Sequence, residues 1–411
     1  MTGTVSCKRS RYTWLAIIGL VLLCINPAYT QGEHNKNLLL AAVMTLSPLV
    51  LFLRKARVFI PRIDIPLVFV CVSVIVNPLV FHPETVRWIT MLFTCACCVY
   101  FMMLARLVRI ADLSSPTLCG MIRIIIYAFT LVLVLQQICL VCGLPVPNEA
   151  MVYPQAPWKL NSLTAEPSHT TVTLATLMYF YTQTRRISNP DINLFKEIKS
   201  EWPLWLCWVW TLFSTVNASA FLLAPLPLLP YVTHRNIWYC VGAIGILVVL
   251  LFVTPVGRTG QLDRLRKVIC ATITLDTDAI EKADSSAAAR IAPTIWGAQA
   301  IDITEADTWK GHGTDADQRD IKERPCDELN RGFAGIFSMF YNYGALCAIA
   351  FWCLIAIVTL IRHHCISILT FLFAMQMSAE HNMQLIWMIL AFSLVFKYNI
   401  YGVRSLLYAK K

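Results

Sequence analysis

Charged residues are scarce in this chain. Asp, Glu, Lys and Arg make up 14% of its 411 residues, against roughly a quarter of a soluble domain. With 57% hydrophobic residues and a mean hydropathy of +0.61, that scarcity excludes a chain bathed in water on all sides. The apolar excess is more than one core can bury, so the solvent must be lipid. Familiar signatures are missing as well. There is no HExxH and no GxxxxGK[ST], and the two CxxC spacings, Cys95–Cys98 and Cys139–Cys142, lie inside apolar runs without His partners, so zinc hydrolysis, ATP-driven transport and structural zinc lose support. Most of the 16 cysteines, such as Cys95, Cys97, Cys98, Cys139, Cys207, Cys240 and Cys353, fall in apolar runs and act as small hydrophobes. Cys270 and Cys326 stand in a polar stretch, where one disulfide is open to them if that stretch faces an oxidising compartment. No internal repeat of solenoid period is visible.

What the chain does have is a series of apolar runs. A spanning helix needs about 20 mostly apolar residues. Runs at 12–28, 37–53, 65–81, 88–107, 121–144, 168–181, 203–216, 219–232, 237–254, 335–361, 365–377 and 384–401 read as twelve spans. The first follows Lys8-Arg9-Ser10-Arg11 and also fits a signal peptide; the spans that follow at once favour a retained helix. The pair between 203 and 232 is short, and Pro225, Pro227 and Pro230 crowd its second member. Thr215-Val216-Asn217-Ala218-Ser219 reads as a polar turn between the two.

Orientation follows from the basic residues. With a cytoplasmic N-terminus, the inner connections hold 19 Lys and Arg, and the short outer ones hold Lys36, Arg87 and Lys159. That bias obeys the positive-inside rule and accounts for the net charge of +10 without a nucleic-acid partner. Both termini are then cytoplasmic. The chain divides into a membrane region (1–254, with an outer loop at 145–167), a large extracytoplasmic loop (255–334) and a second membrane region (335–411). The fold class expected is an all-α polytopic membrane protein of about 12 transmembrane helices, its large loop containing amphipathic helices.

The polar stretch from Pro255 to Met339 carries 14 of the 24 acidic residues and eleven basic ones. Two pieces of it have helical character. In 261–272, Leu262, Leu265, Val268 and Ile269 share a face; 285–301 has Ser285 or Ser286 as a cap. Several residues admit two readings. Glu166, before Pro167, either caps a helix or forms, with His169, an acid and a histidine at the mouth of an outer cavity. Arg258, in Gly257-Arg258-Thr259-Gly260, is an interfacial anchor or a phosphate ligand with bidentate donors. Arg290, the one charge between Asp284 and Asp302, snorkels to headgroups or reaches a lipid-linked diphosphate. His312, in Gly311-His312-Gly313, is a solvated loop tip or a titratable group in a glycine turn. Asp315-Ala316-Asp317 spells DxD inside an acidic run on the side opposite nucleotide sugars, and no chemistry is assigned to it.

The order of these parts resembles the O-antigen polymerase and O-antigen ligase superfamily of bacterial envelope proteins. Leu163-Thr164-Ala165-Glu166-Pro167-Ser168-His169 is similar to the "EPS" segment that opens a span after an outer loop. Ser214-Thr215-Val216-Asn217-Ala218-Ser219 is similar to a Ser/Thr-rich turn between two short spans. Arg290 to Trp296 resembles an Arg-to-Trp helix of the large loop, Gly311-His312-Gly313 its glycine turn, and Tyr341-Asn342-Tyr343-Gly344-Ala345-Leu346 the aromatic-Gly start of the next span. The likeness covers most of 162–360. Asn330-Arg331-Gly332-Phe333 lacks the histidine usual in the ligase branch, which favours polymerase; the turn after Ser214 lacks an arginine.

The resemblance implies glycosyl transfer without metal or other cofactor at the periplasmic face of the inner membrane. Donor and acceptor are both polyprenyl-diphosphate-linked oligosaccharides, and inner-membrane lipid, a chain-length regulator and a flippase are the partners. Glu166, Arg290 and His312 are its catalytic candidates, and Arg258, Arg290 and His169 its diphosphate ligands. The alternatives are an O-antigen ligase and a polytopic transporter or flippase. A transporter would carry ionisable residues deep in its spans, where Lys397 is the main one here.

Overall fold

A computed structural model of the protein describes residues 11–27, 30–31, 34–35, 38–111, 113–148, 157–215, 218–232, 237–255, 260–320, 333, 336–362, 364–377 and 384–401. The described chain is helical: α1 (Arg11–Cys24), α2 (Leu38–Leu46), α3 (Pro61–Phe81), α4 (Trp88–Ala111), α5 (Ser115–Val141), α6 (Pro167–Ser188), α7 (Leu194–Ser200), α8 (Trp202–Ser214), α9 (Ala218–Leu223), α10 (Ile237–Phe252), α11 (Gly260–Ile273), α12 (Thr277–Ala283), α13 (Ser285–Ala300), α14 (Ala306–Lys310), α15 (Ala316–Asp320), α16 (Ile336–Tyr343), α17 (Ala345–Thr359), α18 (Cys365–Met377) and α19 (Gln384–Tyr401). Among the described residues the β structure is one two-residue ribbon, Thr30–Gln31 antiparallel to His34–Asn35.

Four helices, α3, α4, α5 and α19, are long and apolar enough to cross a membrane, and α1, α17 and α18 are shorter apolar helices. Large apolar side chains cover the outside: Phe52 is 76% exposed, Ile89 85% and Val141 86%. Such a surface in water would be an aggregation liability; in lipid it is the solvated face. The interior is one apolar cluster with Phe101, Phe180, Phe351, Trp387 and Phe392 among its fully buried rings.

α6 is built differently. Thr170, Thr171, Thr173, Thr176, Thr182, Gln183 and Thr184 are all buried on it. Thr171 donates to Pro167 O (3.0 Å) and Thr184 to Phe180 O (2.7 Å), so these two hydroxyls are satisfied within the helix itself, while the buried Thr176 hydroxyl has no hydrogen-bond partner among the described residues. A polar helix of this kind is tolerated because protein, not lipid, surrounds it.

Contacts sort the connections into two ends of the bundle. At one end Thr13 donates to Ala111 O, Arg106 pairs with Asp64, Arg123 with Glu201 and Arg185 with Glu197, and Tyr401 donates to Arg362 O. This basic end gathers the start of α1 and the ends of α4, α6 and α19. At the other, the loop end, Asn26 N donates to Leu163 O, Gln384 to Leu22 O and Ile25 O, and Arg87 pairs with Asp315.

The structure refines four expectations. The run 335–361 is two helices, broken at Gly344 with φ +85°. The run 219–232 is the six-residue α9 followed by a 3-10 turn over Leu226–Tyr231, because prolines at 225, 227 and 230 deny a continuous ladder. The chain nevertheless follows α6 along its length, since Thr215, at the end of α8, lies beside Thr171 and Tyr231, at the end of the 3-10 turn, lies under Arg186. The cap of α13 is Asp284, whose carboxylate accepts from Ala287 N, not a serine. Finally, Lys397, itself only half-buried, is not the main ionisable residue within the bundle, since Asp64 and Arg106 form a buried pair between α3 and α4.

Candidate functional site

The polar stretch between the membrane regions forms short helices with an apolar core of their own. Val268, Ala271, Ile280, Ala288 and Ile295 join α11, α12 and α13. The adjoining face of α13 does not lie free. Ala292 and Trp296 pack with Phe333, Phe337 and Tyr341, and Phe337 lies so close to Gly297 that a Cβ there would meet it at 2.5 Å. Gln376 of α18 donates to Thr294 (3.2 Å). α13, which bears Arg290, is thus fastened to α16 and α18 at the loop end.

Beside it, the glycine turn after α14 threads into the break between α16 and α17. His312 N donates to Tyr341 O (2.9 Å) and Gly313 N to Asn342 O (3.1 Å), pairing the turn with the last residues of α16. Only glycine permits this approach. A Cβ on Gly344 would stand 2.3 Å from Trp309 O, and one on Gly311 2.5 Å from Asn342 O. His82 Nε2–H donates to Gly311 O (2.7 Å), which brings the α3–α4 connection onto the turn.

His312 stacks on Tyr341, ring centroids 3.9 Å apart at 4°. Its Nδ1–H donates to Tyr341 O (3.1 Å). In the neutral ring that bond leaves Nε2 with its lone pair, the arrangement a general base needs. Arg319 donates to His312 O (3.4 Å).

The two aspartates after the turn are buried. Asp315 accepts from Arg87 (3.2 Å) and Thr90 (3.1 Å). Asp317 is 3% exposed and accepts from Phe333 N (2.9 Å) and Asn342 Nδ2 (2.8 Å), while its own N donates to Asn342 Oδ1 (3.0 Å). Burial pushes its carboxyl up to about 6, against the pull of these donors and the Ser338 hydroxyl. Sequence reading passed over this pair as part of an acidic run. The signal available was the glycine turn directly before it, which brings Thr314 to Asp317 against the bundle.

Glu166 and His169 belong to a second cluster, on the α5–α6 side. Glu166 is the N-cap residue of α6 and half-buried, and its carbonyl accepts from His169 N and Thr170 N. Its carboxylate accepts from Ser168 Oγ (3.1 Å) and makes no side-chain cap bond. The loop before it is pinned by Gln136, which accepts from Ser162 N (2.8 Å), and by Asn161 and Asn148. Thr171, one turn into α6, meets Thr215 at 3.1 Å.

Both clusters are at the loop end, but different helices hold them: α5, α6 and α8 for Glu166 and His169, and α3, α4, α16 and α17 for His312. The side chain of Arg290 is not described, and Arg258, Cys326 and Asn330 to Gly332 lie outside the described residues. Cys270 is exposed on α11. No protein-family model, curated protein or solved structure matches the chain.

Proposed function

We propose that this chain is a multi-pass membrane glycosyltransferase of the bacterial inner membrane that polymerises polyprenyl-diphosphate-linked oligosaccharide repeat units into surface polysaccharide, O-antigen or capsule. Its termini are cytoplasmic and its loop end periplasmic. The observation that carries the reading is a charged segment in a lipid-solvated chain folded back onto the loop end, with the Arg290 helix packed on α16 beside the His312 turn. A transporter has no need of such an assembly outside its spans. The span opening Leu163 to His169 and the Arg290-to-Trp296 helix support the polymerase branch by their resemblance.

In the reaction, the acceptor hydroxyl attacks the anomeric carbon of the donor sugar. The bond from that carbon to the lipid diphosphate breaks, and the diphosphate leaves on its lipid. The acceptor proton passes to a base, Glu166 or His312 Nε2. Arg290, with Arg258 and His169, stabilises the charge that develops on the leaving diphosphate. The apolar bundle holds the polyprenyl chains. The donor arrives activated, so the reaction draws on no nucleotide.

The test is Arg290→Ala in the native host. Long-chain polysaccharide should vanish while the protein's amount and single-repeat lipid-linked units persist. Normal chain lengths in that variant overturn the reading.

A further inference from the structure

Asp317 is a buried acid that the proposed reaction does not use. Its contacts trace a route to the Arg290 helix. One carboxylate oxygen accepts from Phe333 N. The Phe333 ring, 1% exposed, stands edge-on to Tyr341 (4.7 Å, 81°) and packs with Ala292 and Trp296 of α13. Arg290 lies two residues before Ala292. The other carboxylate oxygen accepts from Asn342, two residues before the helix break at Gly344. Asn342 is itself 2% exposed, and its orientation is fixed because its Oδ1 accepts from Asp317 N. The two residues therefore form a reciprocal clasp in which the Asn342 side-chain amide meets both the backbone N–H and the carboxylate of Asp317.

We infer that Asp317 is a positioning residue: with Asn342 and through Phe333 it holds α13, and with it Arg290, at the loop end in register with the His312 turn. The inference rests on the proposed transfer only for the purpose of that register. The clasp itself is a statement about structure. A carboxylate there takes two donors from two chain segments 25 and 16 residues away. An amide in its place has one acceptor oxygen, so its NH2 would face either the Asn342 NH2 or the Phe333 N–H, two donors face to face.

That polarity gives a test by exchange. Asp317→Asn and Asn342→Asp each disturb the clasp. Combined, they restore it, since Asn at 317 accepts from Phe333 N and donates to the new carboxylate at 342, which also accepts the 317 amide. Two readouts apply to the full-length chain: hydrogen exchange of amides 285–300 in the purified protein, and polysaccharide length in the native host. Each single variant should exchange these amides at least tenfold faster and shorten the polysaccharide. The double variant should recover both. Phe333→Leu, which keeps the backbone donor and trims the ring, should speed exchange in α13 while leaving the clasp residues protected. This variant stands in where a single clasp variant does not fold. Wild-type protection of 285–300 in folded single variants, or in Phe333→Leu, overturns the inference. Exchange that follows the swap while Arg290→Ala leaves chain length normal upholds the clasp and overturns the functional reading instead.

Discussion

The most deeply buried carboxylates at the two ends of this bundle, Asp64 and Glu197 at one and Asp317 at the other, are held by different means. At the basic end, carboxylates meet arginines directly: Arg106 grips Asp64 through both terminal nitrogens at 2.9 and 2.8 Å, and Arg185 reaches both oxygens of Glu197. These forks join neighbouring spans or the parts flanking one span, and a planar guanidinium suits them. Lys397 works alongside them, donating to the carbonyls of Ile357 and Leu360 at the end of α17. At the loop end, the buried carboxylate of Asp317 meets amides rather than a cation, and its partners come from distant segments. The contrast teaches that one end ties spans into a bundle, while the other fixes a folded-back segment in register.

That difference makes the ends separable. The largest effect should come from Arg106→Ala, which strands Asp64 in a buried site and should cost about 3–5 kcal/mol of bundle stability, read as a fall in the unfolding midpoint of the purified protein. An unchanged midpoint would break the assignment of the basic end as the structural tie. Gly344→Ala comes next. It forces a side chain into a left-handed position against Trp309 O, at a cost of about 1–3 kcal/mol before the clash is counted. Here the loss should appear as faster exchange around 311–317, with the basic end unaltered.

A subtler separation uses pH. The Asp317 carboxyl is raised to about 6, so the folded state holds its proton more tightly than the unfolded chain. Its contribution favours the folded loop end below its ordinary value and is lost as pH rises through about 6. Protection of the 311–317 segment should therefore gain on the order of 1 kcal/mol between pH 7 and pH 5 relative to Asp317→Asn. The neighbouring His312, His82, Asp315, Arg87 and Arg319 are common to both proteins, so the difference isolates the one carboxyl. A flat difference would show that this site does not titrate as its burial requires. Smallest of all, Arg87→Ala removes an ion pair whose arginine side chain is 53% exposed. It should change stability by less than about 1 kcal/mol, and a larger loss would mean that Asp315 depends on its cation as the basic end does.

Much of the architecture could be read from the residues. Apolar runs located α3, α4, α5 and α19, and the periodicity of 261–272 and 285–301 located α11 and α13. The boundaries failed where one residue overrules a pattern: Gly344 splits a 27-residue apolar run, and Pro225, Pro227 and Pro230 shorten α9. For the candidate site, the glycine turn and Glu166 were legible because local chemistry marks them. Neither the separation of the Glu166 cluster from the His312 cluster nor the clasp was legible.

The sequence by itself determined the solvent of this protein, its helical class and the glycines on which its loop end turns. Those follow from composition, short-range periodicity and the missing Cβ. Only the tertiary structure decided that Asp315 and Asp317, spelled like the exposed Asp302, Glu305 and Asp307 before them, are buried and bonded. Their partners Arg87, Phe333 and Asn342 stand 228, 16 and 25 residues away. Burial and hydrogen bonding are properties of such distant encounters, and no local pattern in an acidic run distinguishes the residues that make them.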